Sequence, residues 1–150
     1  MIVVEGLKRS GEVTQRVWNK AVKATYHEGA EFWFDRYSQR HFTPEGARMY
    51  GYAKRSRKYM DAKQSQKHHQ DPLVWSGASR KLATIKQIRS TRNWGKASIA
   101  ARGLNRRAKG MTYSMAREMV IVSANERRAM FAQMNRKLTS ALKEAGRKKN

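Results

Sequence analysis

The sequence predicts an α+β fold, a small antiparallel sheet packed against a long N-terminal helix and a C-terminal helix, with an extended basic arm. Two observations carry the helices: apolar residues recur at spacings of three and four from about Glu12 to Tyr37, and again behind Ser123. A third carries the sheet: two weak strand segments flank Asn93-Trp94-Gly95, a hairpin signal. The 150 residues suit one domain, 1–150, with a basic loop or arm at about 38–71 and a short basic tail at 146–150.

Taken in order, Ile2 to Val4 form a short strand closed by Gly6. The first helix then places Trp18, Ala21, Val22, Thr25, Gly29, Phe32 and Trp33 on one face. Gly29 weakens helix propensity by about 1 kcal/mol relative to alanine, which marks a kink or a close approach by another element. In 38–71, Pro44, Gly46 and Gly51 interrupt regular structure, and nine Lys or Arg lie among tyrosines between Arg36 and Lys67. Tyr50, Tyr52 and Tyr59 could anchor this arm to the body or to a partner. After Pro72 a short helix is expected from Ser76 to Leu82 with Ser76 as N-cap. Strands at about 84–91 and 97–102 follow, then a basic loop from Asn105 to Gly110. Met119-Val120-Ile121-Val122 is the best strand candidate. Ser123-Ala-Asn-Glu126 has capping-box spacing. Behind it Met130, Phe131, Met134, Leu138, Ala141, Leu142 and Ala145 keep helical period until Gly146 terminates the helix.

The net charge of +22 is large for this length, and it is unevenly placed. The 46 residues between Asp71 and Glu118 hold eleven Lys or Arg and no acid. Solvated surfaces normally mix both signs, so a stretch of one sign points to a negative partner: nucleic acid or an acidic protein neighbour. The hydrophobic fraction of 39 % with four Trp, six Tyr, four Phe and eight Met still suffices for a folded core. The absence of cysteine excludes a disulfide framework, a thiolate zinc site and a cysteine nucleophile. No run approaches the roughly 18 apolar residues of a membrane span, and Met1-Ile-Val-Val-Glu5 lacks a signal-peptide layout. A soluble intracellular product without membrane contact is the expectation.

Motifs for catalysis are missing. His27, His41, His68 and His69 form no HxxxH or HExxH pattern, and the His68-His69 pair reads as solvated rather than metal-binding. Glu28, Glu31 and Asp35 read as the solvated side of the first helix. No Walker, GxGxxG or GxSxG pattern occurs. The expectation is no enzyme, no cofactor and no metal. Basic residues interleaved with aromatics carry more weight. Arg48, Lys54, Arg55, Arg57 and Lys58, and beyond them Arg102, Arg106, Arg107 and Lys109, are the candidate contacts to phosphate or to an acidic partner. Trp75 and Trp94 are read as core or hairpin residues rather than base-stacking platforms. No RRM, KH or zinc-finger signature is present, so any nucleic-acid contact would be to backbone charge.

From residue 32 to 142 the order of features resembles bacteriophage neck and tail-completion proteins, the virion morphogenesis (head–tail joining) group. The residues that carry the resemblance are Phe32-Trp33-Phe34-Asp35-Arg36-Tyr37 at the end of the first helix and the Arg48-to-Tyr59 arm. Next comes the sharpest step, Pro72-Leu73-Val74-Trp75-Ser76-Gly77, and then the Ser123-to-Glu126 start of the last helix. The resemblance implies a structural virion protein at the head–tail junction, made in the bacterial host cytoplasm. It implies a ring of copies, often six-fold, that closes the head or terminates the tail and lets DNA pass. The implied partners are further copies of the chain, portal or connector and tail proteins, and packaged DNA through backbone charge. The alternative is a nucleic-acid-binding protein without sequence specificity, ribosome-associated or architectural.

Overall fold

The computed structural model describes residues 14–98 and 115–147. These form helices and a two-stranded antiparallel sheet, as the sequence predicts. The chain divides into two units, with one boundary inside the first helix between Phe34 and Asp35.

The first unit contains the start of α1 (Gln15–Tyr37), the hairpin β1 (Gln87–Ser90) and β2 (Gly95–Ser98), and the long C-terminal helix, numbered α6 below (Ala124–Arg147). Thr14 opens α1, its Oγ accepting the Val17 N–H at 3.4 Å. Ala21 packs with Leu138 and Leu142, and Val22 and Ala141 close the same cluster. Glu28 of α1 accepts from Gln133 Nε2 at 2.8 Å and pairs with Lys137 of α6 at 3.8 Å. Gly29 is a contact point, not a kink: a Cβ there would lie 2.6 Å from Met134 Sδ. The strands pair from Gln87 opposite Ser98 to Ser90 opposite Gly95, and the turn closes with Thr91 N–H donating to the Trp94 carbonyl at 2.8 Å. Gly95 sits so close to α1 that a Cβ would meet the Tyr26 carbonyl oxygen at 2.2 Å.

The second unit holds Asp35–Lys86 and the described part of 99–123. Here the structure corrects the expected arm. Residues 38–71 are not an extended loop but a 3₁₀ turn (Ser38–Phe42), α2 (Pro44–Met49) and α3 (Arg57–Lys67). The residues read as breakers are start and stop signals. Thr43 caps α2, its Oγ accepting Gly46 N–H at 3.0 Å, and Pro44 occupies the first turn, where its missing N–H loses nothing. Gly46 lets α2 close onto the preceding turn, since a Cβ would fall 1.8 Å from the Arg40 carbonyl oxygen. Gly51 follows α2 at φ +64°. Ser56 caps α3 through Tyr59 N–H at 3.3 Å. Two further short helices follow, α4 (Ala78–Leu82) and α5 (Met115–Glu118). The core of this unit is Phe42, Leu73, Val74, Ala83 and Met119, with Tyr52 and Ala116 against it.

Other expectations shift in detail. Gly77, not Ser76, occupies the N-cap position of α4, its carbonyl accepting Lys81 N–H at 2.9 Å. Met119–Val122 form no strand. The backbone turns there, Val120 and Ile121 N–H bonding back to Arg117 and Glu118 carbonyls, and Val120 is exposed. Helix α6 begins after Ser123, with Glu126 buried at the capping-box position, but it runs through Gly146 to Arg147. Phe131, placed on its apolar stripe by spacing, is 54 % exposed, and Trp18 of α1 is also exposed. The strand at Ile2–Val4, the basic loop 105–110, the end of the second predicted strand and residues 148–150 of the tail lie outside the described residues.

Candidate interaction groove

The candidate site lies within the second unit, in a concavity of about 600 Å³ between α2, α3 and the Pro72–Leu73 turn. Four cations line it, Arg48, Lys54, Arg55 and Lys63, and among the described residues no carboxylate does. Tyr52 and Tyr59 form its aromatic wall, and Met60, Pro72 and Leu73 supply apolar surface.

Each cation is held differently. Arg48 is exposed at the end of α2 and pairs with Glu45 at 3.4 Å. Lys54 is exposed. Arg55 turns inward: its guanidinium grips Glu118 of α5 with both terminal nitrogens, at 3.2 and 2.5 Å, and also donates to the Ala53 carbonyl at 2.9 Å. Glu118 accepts Ala53 N–H as well, at 3.2 Å. A buried carboxylate held by a fork of donors ties α5 to the segment entering α3. Lys63 is only 2 % exposed, although it is charged. Its Nζ donates to the Asp71 carbonyl and lies 5.8 Å from the centre of the Tyr59 ring. Burial pushes the Lys63 ammonium below its ordinary range, and Arg55 adds to this while Asp71 opposes it. The Tyr59 phenol is pushed up by burial, against the attraction of Arg55.

Beneath the tyrosine wall is a stack that spacing alone did not reveal. His41, fully buried, lies flat on Tyr50 with ring centres 4.0 Å apart, and its Nδ1 bonds the Tyr52 hydroxyl. Burial lowers the His41 pKa to about 4, a backbone contact at Glu118 pulling the other way. The imidazole is therefore neutral at pH 7 and acts as a packed aromatic that orients Tyr52. Tyr50 and Tyr52 are thus anchors of the body, one of the two roles foreseen for them.

The Pro72–Gly77 step folds into a tight turn. Leu73 adopts φ +57°, rare for a branched side chain, and Gly77 adopts φ +79°. Leu73 and Val74 are buried, whereas Ser76 and Trp75 face outward, Trp75 being 41 % exposed. Trp75 packs at 5.7 Å against Tyr59, and the Lys67 ammonium lies 5.9 Å from its ring centre. Trp94 is a hairpin residue, as expected, exposed on the turn, whereas Trp75 belongs to neither the core nor the hairpin.

Of the sequence candidates, Arg48, Lys54 and Arg55 meet in the groove, while Arg57 and Lys58 stand exposed on the first turn of α3. Arg57 approaches Asp61 at only 4.0 Å. Arg102, Arg106, Arg107 and Lys109 lie outside the described residues. Lys63 was missed, and its signal was weak: a lysine one turn from Tyr59 on a helix of otherwise polar character. Among the described residues no group of three His, Cys, Asp or Glu is arranged to hold a metal, and no helix is long and apolar enough to cross a membrane. No family model, no curated protein and no solved structure matches this chain.

Proposed function

We propose that this chain is a structural protein of the phage head–tail junction, a neck, tail-completion or tail-terminator component that assembles as a ring and lets DNA pass. The observation that carries this reading is the Pro72–Gly77 turn. Its geometry buries Leu73 and Val74 and holds Trp75 outward, braced by Tyr59 and Lys67. A rigid aromatic on a solvent-facing turn is the kind of anchor that dominates protein interfaces. Met49, Ile85 and Val120 of the same unit are exposed as well and are available to the same kind of contact. The charge of +22 sets a condition, because copies must meet a counter-charge before they close-pack.

The test is electron microscopy of lysates from a phage in which this gene carries an early stop codon. Filled heads beside unattached tails are the expected result; normal infectious particles would overturn the assignment. Purified protein imaged by negative stain at raised salt, where self-repulsion is screened, gives an independent view of rings.

A second reading, nucleic-acid binding without sequence specificity, is favoured by the exposed cluster Lys54, Arg57 and Lys58. It predicts affinity that falls steeply with salt, as each neutralised phosphate releases counterions.

A further inference from the structure

We propose that the groove between α2, α3 and the Pro72–Leu73 turn is a docking site for an acidic, partly apolar peptide segment of a neighbouring protein. The inference rests on the assembly reading for the nature of its partner, and it goes further by naming the surface and the chemistry that fits it.

Three features select this occupant. The lining is one-signed, with Arg48, Lys54, Arg55 and Lys63 and no carboxylate among the described residues. Arg55 is already committed to Glu118, so Lys54, Lys63 and Arg48, whose Glu45 partner is itself exposed, supply the attraction that an incoming carboxylate meets. Between the cations lie Met60, Pro72 and Leu73, which a purely ionic ligand would leave unmatched. A volume of about 600 Å³ is within the range of pockets that enclose a small ligand or a few side chains.

Lys63 is the most informative member. An ammonium with 2 % exposure and, among the described residues, one hydrogen bond to a carbonyl oxygen is costly to hold charged, and the attraction of the Asp71 carboxylate offsets only part of that burial. A carboxylate brought near it would stabilise the charged form and offset that desolvation.

Nucleic acid fits less well. A duplex backbone is convex and offers phosphates without apolar side chains, so it suits the exposed Arg57 and Lys58 better than a concavity. Single-stranded bases would need aromatic faces. Tyr52 already stacks on His41 and Tyr50, and Tyr59 packs on Trp75.

The experiment uses the whole chain and fluorescence anisotropy with a short labelled peptide alternating Glu with Leu and Phe. A matched peptide with Ser replacing Leu and Phe, and a labelled oligo-dT, serve as comparison probes. The Glu/Leu/Phe peptide is expected to bind at least about tenfold more tightly than the Ser version. Lys63→Met, which keeps side-chain volume, and separately the surface pair Arg48→Glu/Lys54→Glu, should each weaken binding about tenfold. Lys143→Glu on α6 should leave it unchanged. Far-UV circular dichroism checks that each variant is folded. Equal binding of the two peptides, wild-type affinity in both groove variants, or tighter oligo-dT binding with the same variant dependence would each overturn the proposal. Ring formation by the same preparations is read separately. Rings without peptide binding refute the groove alone, and peptide binding without rings refutes the assembly reading alone.

Discussion

Lowering the pH from about 7 to about 5 should destabilise the second unit by about 2 kcal/mol, because His41 is packed in its neutral form. The unfolded chain takes up a proton near 6.5, whereas folded His41 does so only at about 4. Protons therefore favour the unfolded state in this interval. The stabilisation is complete above 6.5, falls as the pH drops, and levels off below 4. At 1.36 kcal/mol per pH unit the whole gap is worth about 3 kcal/mol, of which about 2 is lost by pH 5. The assay is urea unfolding followed by circular dichroism at several pH values, on the native chain and on His41→Phe. The phenyl ring keeps the stack on Tyr50 but removes both the proton site and the bond to Tyr52. Its stability at pH 7 should be lower and its slope between 7 and 5 shallower by about that 2 kcal/mol. His27, His68 and His69 are present in both proteins and cancel. Identical slopes in the two would refute the argument.

Further outcomes follow from the packing. Glu118→Gln or Arg55→Met alone should each cost about 3 kcal/mol by leaving a buried charge unpaired, and the double replacement Arg55→Met/Glu118→Gln, which keeps an acceptor for Ala53 N–H, should cost less than the sum of the two, measured by urea unfolding. Gly95→Ala and Gly46→Ala should be severe, since each Cβ would collide with a backbone carbonyl oxygen at 2.2 and 1.8 Å. Gly51→Ala, with open space but φ +64°, should lose only about 1 kcal/mol in thermal unfolding. If the second reading holds, Lys54→Ala/Arg57→Ala/Lys58→Ala should weaken DNA binding and flatten its salt slope by about three counterions; unchanged DNA binding would remove that reading's main support.

Helical period and capping made α1 and α6 legible, because a 3.6-residue stripe is a property of local spacing. The same spacing misassigned Trp18 and Phe131, since a stripe defines which residues share a face but not how wide the partner element is. The 38–71 segment failed for a different reason. Pro44, Gly46 and Gly51 carry breaker identities in general, yet Pro in a first turn and Gly at a contact of 1.8 Å are requirements of a packed helix. Only the tertiary neighbour, the Arg40 carbonyl, reveals the difference. Met119–Val122 failed in the same way. Its composition suits a strand, but a strand needs a ladder partner, and the pull of Arg55 on Glu118 fixes the preceding turn instead. Tyr59 and the basic cluster were visible from composition. The groove was not, because Lys63 and Leu73 reach it through folding rather than through proximity in sequence.

The charge that dominates the sequence separates, in the structure, into two populations with different dependence on salt. Arg55 and Lys63 are folded inward against Glu118 and the Asp71 carbonyl, where short distances and burial keep mobile ions out. Lys54, Arg57 and Lys58 are exposed, and their fields decay over about 10 Å at 0.1 M salt. Raised salt should therefore leave the second unit folded while abolishing contacts made by the exposed cluster. The groove lies between these limits, as its cations include both kinds and its apolar lining is insensitive to screening. A partner held there should lose only part of its affinity at high salt, whereas one held on α3 by phosphate charge should lose nearly all of it. Lys54 belongs to both surfaces, so the contrast is between the groove and the α3 cations Arg57 and Lys58, and it is readable even before any residue is changed.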